Sequence, residues 1–336
     1  VLLNVDVFHW HVMVGTMGSE SIPKQIYLSI RFIFQFIYCL LFRDLPRVLF
    51  LKRKSVEDQI VAITGGARGI GRGLARRFAI SERAIVCILD INEIEGCRTA
   101  AEINNDGGRA HFFQCDVSDP QSLRACAKRI YASPELGKVD ILICDAAVLR
   151  LGQLLNMSDD DFRITMNVNV LGYIFTIRSF LAEMINRNKG QVVAIGSICS
   201  YYGEYLGSAY CTSKFAIRGL MESLQMELDE MNKNGVCVTT IYPYFIDTPL
   251  ITEKKMEPFS TFYDVIPLDE CIEEMTDAIL KERLSYFIPQ KLALLCTFLK
   301  CCATKNVIPM ARRVFNFRYA PKTQFEEAPT SINIKQ

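Results

Sequence analysis

The stretch Ile63–Phe78 reads ITGGARGIGRGLARRF and places five glycines between Gly65 and Gly73. So dense a run is costly in backbone entropy. It makes sense as a turn whose backbone must come close to something. The apolar run before it, QIVAIT (Gln59–Thr64), reads as a strand, and RGLARRF (Arg72–Phe78) opens a helix. In that context the glycines permit a tight turn. Backbone N–H groups there approach a pyrophosphate that also faces the positive helix N-terminus. The next apolar run, AIVCILD, ends in Asp90. An acidic residue about 20 residues after such a loop holds a ribose hydroxyl in NAD-binding folds.

From residue 57 onward, short apolar runs alternate with helical patterns. The runs AHFFQCD, VDILICDA, QVVAIGS and VCVTTIYP complete the strands. Most are apolar throughout, as in a parallel sheet covered on both faces. Helical patterns occupy Arg72–Ala79, Gln121–Tyr131, Asp159–Asn186 and Ser208–Met231. This order predicts an α/β fold with a doubly wound (Rossmann), mostly parallel sheet. The 336 residues suffice for one such domain plus extra segments.

Composition narrows the function. A net charge of +1 implies no nucleic-acid partner. Thirteen cysteines without a C-x-x-C pair read as reduced thiols facing the cytosol. With three histidines only, at His9, His11 and His111, no metal site and no Ser-His-Asp triad is expected.

Residues 1–25 carry no clear period and are left unassigned. The chain begins with Val, so a different or longer N-terminus is expected. The apolar run Ile26–Phe42 is at the lower limit for crossing a bilayer. Arg31 and Gln35 interrupt it on one face, and Lys52, Arg53 and Lys54 follow. Residues 26–54 are therefore expected to be a membrane anchor, as a hairpin or interfacial helix, with its basic flank on cytosolic headgroups. The alternative is an amphipathic helix packed on the globular domain. The tail 291–336 is apolar with interspersed basic residues, either a second membrane contact or a cover for the substrate pocket.

Tyr210 and Lys214 in SAYCTSKFAIRGL share a helix face at i, i+4. An ammonium beside a phenol favours the phenolate, as a general base near neutral pH requires. Ser197 ends the strand QVVAIGS, thirteen residues upstream of Tyr210, with Ser200 as its competitor. Strand C-terminal ends are where open α/β sheets bind ligands.

The spacing T-G-x-x-x-G-x-G (Thr64, Gly65, Gly69, Gly71), with Tyr210–Lys214 and Ser197, resembles the short-chain dehydrogenase/reductase family over residues 57–290. The resemblance implies a catalytic set of Asn169, Ser197, Tyr210 and Lys214, with Asn169 of NVNVLG holding a relay water and Asn167 as its rival. It implies cofactor contacts from Thr64, Gly65, Arg68, Gly69, Ile70, Gly71, Asp90, Asp116, Tyr210, Lys214, Pro243 and Thr248. The cofactor implied is NAD: Asp90 resembles NAD-preferring members, although Arg68 resembles NADP-preferring ones. Two further departures stand out. The family's N-N-A-G is CDAA here (Cys144–Ala147), so cofactor binding is weaker or Asp145 replaces an asparagine contact. The glycine after Pro243 is Tyr244, a bulky residue that relatives acting on lipids often carry.

The early apolar segment, LDIN, YCTSKFA and SYFIPQKLALL are similar to the membrane-associated retinol and 17β-hydroxysteroid dehydrogenase group. That implies hydride transfer between NAD(H) and a lipophilic alcohol or its carbonyl. It implies a catalytic domain facing the cytosol, on the endoplasmic reticulum or lipid droplets, and a homodimer is expected. The alternatives are an NADPH-dependent carbonyl reductase and a catalytically silent lipid-droplet or membrane binding protein.

Overall fold

The computed structural model describes residues 22–45, 51–252, 256–259, 264–302, 310, 313–314 and 318–321. Residues 1–21 of the unassigned stretch, Pro46 and most of the tail beyond 302 lie outside them. The chain divides into two units, residues 1–52 and 53–336.

In the first unit, helix α1 (Ile22–Cys39) runs into a π-helical turn, Leu40–Asp44. Its apolar side chains are exposed on every side, with Phe32 at 66% and Phe34 at 72%. The 20 residues Pro23–Phe42 are long and apolar enough to cross a bilayer, with mean hydropathy 1.6.

The second unit is built on seven parallel strands. These are β1 (Ile60–Thr64), β2 (Ile85–Asp90), β3 (Arg109–Gln114), β4 (Ile141–Cys144), β5 (Gly190–Ile195), β6 (Val236–Pro243) and an edge strand, Ser285–Ile288. The order is β3-β2-β1-β4-β5-β6-edge, and every pairing is parallel. The order reverses between β1 and β4, which opens a crevice at their carboxyl ends.

The connecting helices are α2 (Gly69–Arg76), α3 (Glu93–Asn105) and α4 (Pro120–Ala132). Next come α5 (Asp159–Met166), α6 (Gly172–Arg187), α7 (Ser208–Glu230) and α8 (Leu268–Leu280). A π-helical turn, Asn167–Leu171, joins α5 to α6. Alternate residues of β1 feed two cores: Val61 and Ile63 pack with Leu74, Phe78 and Met275, while Ile60 and Ala62 pack with Phe180, Ile217 and Leu224. A sheet apolar on both faces needs exactly such a layer on each side.

Two expectations change. Arg53 ion-pairs with Glu82 at 2.7 Å, and Lys54 Nζ donates to Gln191 and Glu282 at 2.8 Å each. These cations are engaged by side chains of their own domain, so of the expected headgroup-binding cluster the exposed Lys52 is left. The tail also begins inside the domain. Helix α9 (Lys291–Cys302) buries Leu292 in the core, and Arg318–Pro321 pairs antiparallel with Met256–Phe259.

Candidate active site

The glycine turn leaves β1 with Gly65 N–H donating to Leu89 O at 2.8 Å. Gly65 has φ +72°, and a Cβ on it would lie 2.8 Å from Ala146 Cα. A Cβ on Gly71 would lie 2.2 Å from Gly65 O, so no side chain fits there. Gly69 differs: its φ is +56°, but the nearest atoms to a Cβ, on Thr248, are 3.9 Å away. Gly65 and Gly71 close the turn, whereas a Cβ on Gly69 would meet Thr248 only at van der Waals distance. The N-cap residue Arg68 makes no side-chain capping bond; the Asp145 carboxyl takes the Gly71 N–H, and the other leading N–H groups of α2 suit an anion.

A cavity of about 260 Å³ lies against this turn. Gly65, Arg68, Gly69, Asp90, Asp116 and Thr248 all line it, together with Asp145. Asp90 is held by two backbone donors, Ala67 N–H to Oδ2 and Asn92 N–H to Oδ1, each at 3.0 Å. Each oxygen keeps accepting capacity for a ribose hydroxyl. Asp116 Oδ1 accepts from the N–H and hydroxyl of Ser118 at 2.9 and 2.7 Å. The glycine turn, the remaining leading N–H groups of α2 and the oriented carboxylates fit the two ends of an adenosine diphosphate moiety.

Three residues expected as contacts are not among those lining the cavity. Thr64 is buried, and its hydroxyl accepts from Asp145 N–H at 3.2 Å and Ala146 N–H at 3.4 Å, so it ties β1 to the turn after β4. Ile70 packs against the core. Pro243 ends β6 in register with Ile288. Tyr244 is buried edge-on against Phe245, with ring centroids 4.8 Å apart.

At the end of β5, Ser197 Oγ accepts from Cys199 N–H at 3.1 Å and is hydrogen-bonded to the Tyr210 phenol. Lys214 stands one turn along α7 and is 2% exposed. Its Nζ donates to Ile195 O at 2.9 Å and lies 5.4 and 5.6 Å from the ring centroids of Tyr173 and Tyr210. Ser197, Tyr210 and Lys214 therefore form one cluster. Ser200 instead lies fully buried in the turn Ile198–Ser200.

Asn169 is buried in the π-helical turn, whereas Asn167 is exposed. The Asn169 carboxamide grips Val148 twice: Nδ2 donates to its carbonyl at 2.9 Å and Oδ1 accepts its N–H at 2.8 Å. Nδ2 also donates to Ser213 Oγ at 3.1 Å. The side chain expected to hold a water is committed to joining the turn after β4 to α7.

Burial dominates the electrostatics. It pushes the Tyr210 phenol well up; the thiols of Cys199 and Cys211 add to that, and the Ser197 hydroxyl opposes it. The lowering expected from Lys214 does not outweigh desolvation. Burial also pulls Lys214 down to about 8, against the attraction of Asp145. Asp145 itself is raised to about 7 by desolvation, with Lys214 and the Gly71 N–H acting the other way. Sequence reasoning missed Tyr173, which donates to Ile195 O at 3.0 Å; only its place after Gly172 hinted at it.

The model for short chain dehydrogenase matches residues 59–258. Human estradiol 17-beta-dehydrogenase 11 is 32% identical over 78% of this chain and 85% of its own length. Bovine short-chain dehydrogenase/reductase family 16C member 6 is 32% identical over 83% and 85%. Human 17-beta-hydroxysteroid dehydrogenase 13 is 31% identical over 71% and 77%. Among solved structures, a short chain dehydrogenase/reductase from Burkholderia phymatum, crystallised with NAD, superposes with a TM-score of 0.64. It is 22% identical and covers 73% of this chain and 92% of that one. Match, relatives and site agree: the chain belongs to the short chain dehydrogenase family, and so to the NAD(P)-dependent oxidoreductases acting on a CH–OH group.

Proposed function

We propose that this chain moves a hydride between NAD(H) and a lipophilic alcohol or its carbonyl at a membrane surface. One observation carries the reading: Ser197, Tyr210 and Lys214 converge beside a glycine-lined crevice holding Asp90. When bound, the dinucleotide supplies the hydride acceptor or donor. Gly65, Gly69 and the α2 N-terminus hold its phosphates, and Asp90 accepts from its ribose hydroxyls. Ser197 orients the substrate oxygen. Tyr210 takes the hydroxyl proton, and the Lys214 ammonium favours the phenolate that results. Asn169, through its grip on Val148, fixes the wall of the proton path, and its backbone in the π-helical turn is the part left to hold a relay water.

The lipophilic substrate is supported by relatives named as estradiol and hydroxysteroid dehydrogenases and by Tyr244 beside Pro243. The membrane site is supported by the exposed apolar helix α1. We assign residues 26–54 to the anchor, 57–290 to the catalytic domain and 291–336 to a tail whose first turn completes that domain. In this reading the catalytic domain lies on the cytosolic face of the endoplasmic reticulum or of lipid droplets, as a homodimer. Arg68 on the same cavity favours a second reading, an NADPH-dependent carbonyl reductase. A turnover screen of retinol, steroids and long-chain alcohols, and of their carbonyls, with both dinucleotides tests the proposal. Turnover of a lipophilic alcohol with NAD supports it. Carbonyl reduction with NADPH alone supports the second reading, and no turnover of any pair points to a catalytically silent membrane protein.

A further inference from the structure

Two thiols that the mechanism leaves unused flank its two hydroxyls. Cys199 lies two residues beyond Ser197, and Cys211 directly follows Tyr210. The Cys199 thiol is hydrogen-bonded to the Cys211 sulfur. Cys211 Sγ also accepts from Glu204 N–H at 3.2 Å, within the first turn of α7. Both are buried, at 3% and 6% exposure, but Glu204 and Tyr210 beside them are half-buried. That opening suits an oxidant as small as a peroxide.

We propose that Cys199 and Cys211 are an oxidative modification site, closing to a disulfide in response to hydrogen peroxide and so switching off the hydroxyl pair they flank. The Glu204 N–H, 3.2 Å from Cys211 Sγ, favours the thiolate at Cys211. Cys211 is therefore the nucleophile. Its sulfur attacks one peroxide oxygen, the O–O bond breaks, and a sulfenic acid and one water form. Cys199 sulfur then attacks the Cys211 sulfur; the S–O bond breaks, the S–S bond forms, and the hydroxide leaves as water with the Cys199 proton. Two electrons pass from the thiols to the peroxide. The sulfurs must draw in from hydrogen-bond separation to about 2.05 Å. Cys199 N–H is the donor to Ser197 Oγ, so this closure drags the serine hydroxyl. A catalytic group displaced by about 1 Å costs about 10²-fold in rate.

The bond-forming step stands by itself, while its effect on turnover rests on the function proposed above. The two are therefore read separately. The full chain is treated with hydrogen peroxide, digested without reductant and mapped by mass spectrometry. In parallel, turnover of whichever substrate the screen identifies is followed before and after a dithiol. The expected result is a linked Cys199–Cys211 peptide, appearing in step with a loss of about 10²-fold that the dithiol reverses. Cys211→Ala, which removes the attacking thiol, should form no link and resist peroxide. Both thiols free while other cysteines oxidise would overturn the proposal, as would a link at the second hydrogen-bonded pair, Cys115 and Cys126, in its place. Equal peroxide sensitivity in Cys211→Ala would overturn the switch even where the link forms in the wild type. A chain that turns nothing over but forms the link keeps the modification site and removes the proposed enzyme.

Discussion

Lys214 and Tyr173 share one acceptor. The ammonium and the phenol donate to the same Ile195 carbonyl, at 2.9 and 3.0 Å. The ammonium lies between two aromatic rings, in the geometry of a cation–π pair on each side. The sheet end at Ile195 thus sets the height of Lys214 above Ser197. The shared acceptor also means that removing the ammonium leaves no orphaned carbonyl.

Lys214→Met tests that arrangement. The stem stays packed, Tyr173 still satisfies Ile195, and a buried charge that burial disfavours is gone. Thermal stability at pH 7 is expected to hold or rise, while turnover falls by about 10²-fold or more. Melting curves beside steady-state rates check this. A large stability loss would mean that Lys214 is a structural element first.

Asp145 carries a pH dependence whose sign follows from its shift. Its carboxyl is raised from the ordinary 3.8 to about 7 by desolvation. The folded chain therefore holds that proton more tightly than the unfolded chain. The contribution to stability is largest below the ordinary value and is lost as pH rises toward 7. Asp145→Asn removes the loss. Its melting temperature relative to wild type should gain more at pH 8 than at pH 5, and NADH should bind more tightly to a crevice with one carboxylate fewer. An equal difference at both pH values would place the Asp145 charge elsewhere.

Asp90 is expected to decide the dinucleotide. Its oxygens are aimed by Ala67 and Asn92, and a carboxylate there repels a 2′-phosphate. Charge-assisted hydrogen bonds are worth about 1.5–3 kcal/mol. Asp90→Ala should therefore shift preference toward NADP by about tenfold or more, read from kcat/KM with each dinucleotide. A wild type that already prefers NADP would show that Arg68 governs the choice.

Deleting residues 1–51 separates anchor from fold. The ties of Arg53 to Glu82 and of Lys54 to Glu282 remain in the shortened chain. It should enter the soluble fraction and bind NADH as before, whereas the full chain stays with membranes through high-salt and carbonate washes. A soluble full chain would return α1 to the role of a packed amphipathic helix. Continued pelleting of the shortened chain would move the contact to Lys291–Phe315.

The fold was legible because apolar strands recur between helical patterns, and six of the seven strands lie where those runs stand. The edge strand Ser285–Ile288 was not, since four residues after a charged turn give no period to read. The glycine turn, Asp90, Ser197, Tyr210 and Lys214 were visible through spacing. What spacing cannot carry is the direction of a side chain. Thr64 sits in the motif but points at the turn after β4, and Asn169 spends its carboxamide on Val148. Arg53 and Lys54 look like a basic flank, yet they meet Glu82 and Glu282, residues distant in sequence. Tyr173 and the Cys199–Cys211 pair become evident only once α6, α7 and the end of β5 are brought together.

The central claim is that Tyr210 carries the proton. Tyr210→Phe removes one hydroxyl and keeps the ring packed against the core. The most direct measurement is turnover of the variant, set beside its NADH affinity by cofactor fluorescence. The account predicts a rate lower by about 10²–10⁴-fold, with NADH binding unchanged because the hydroxyl faces the substrate. Wild-type turnover in this variant would contradict it.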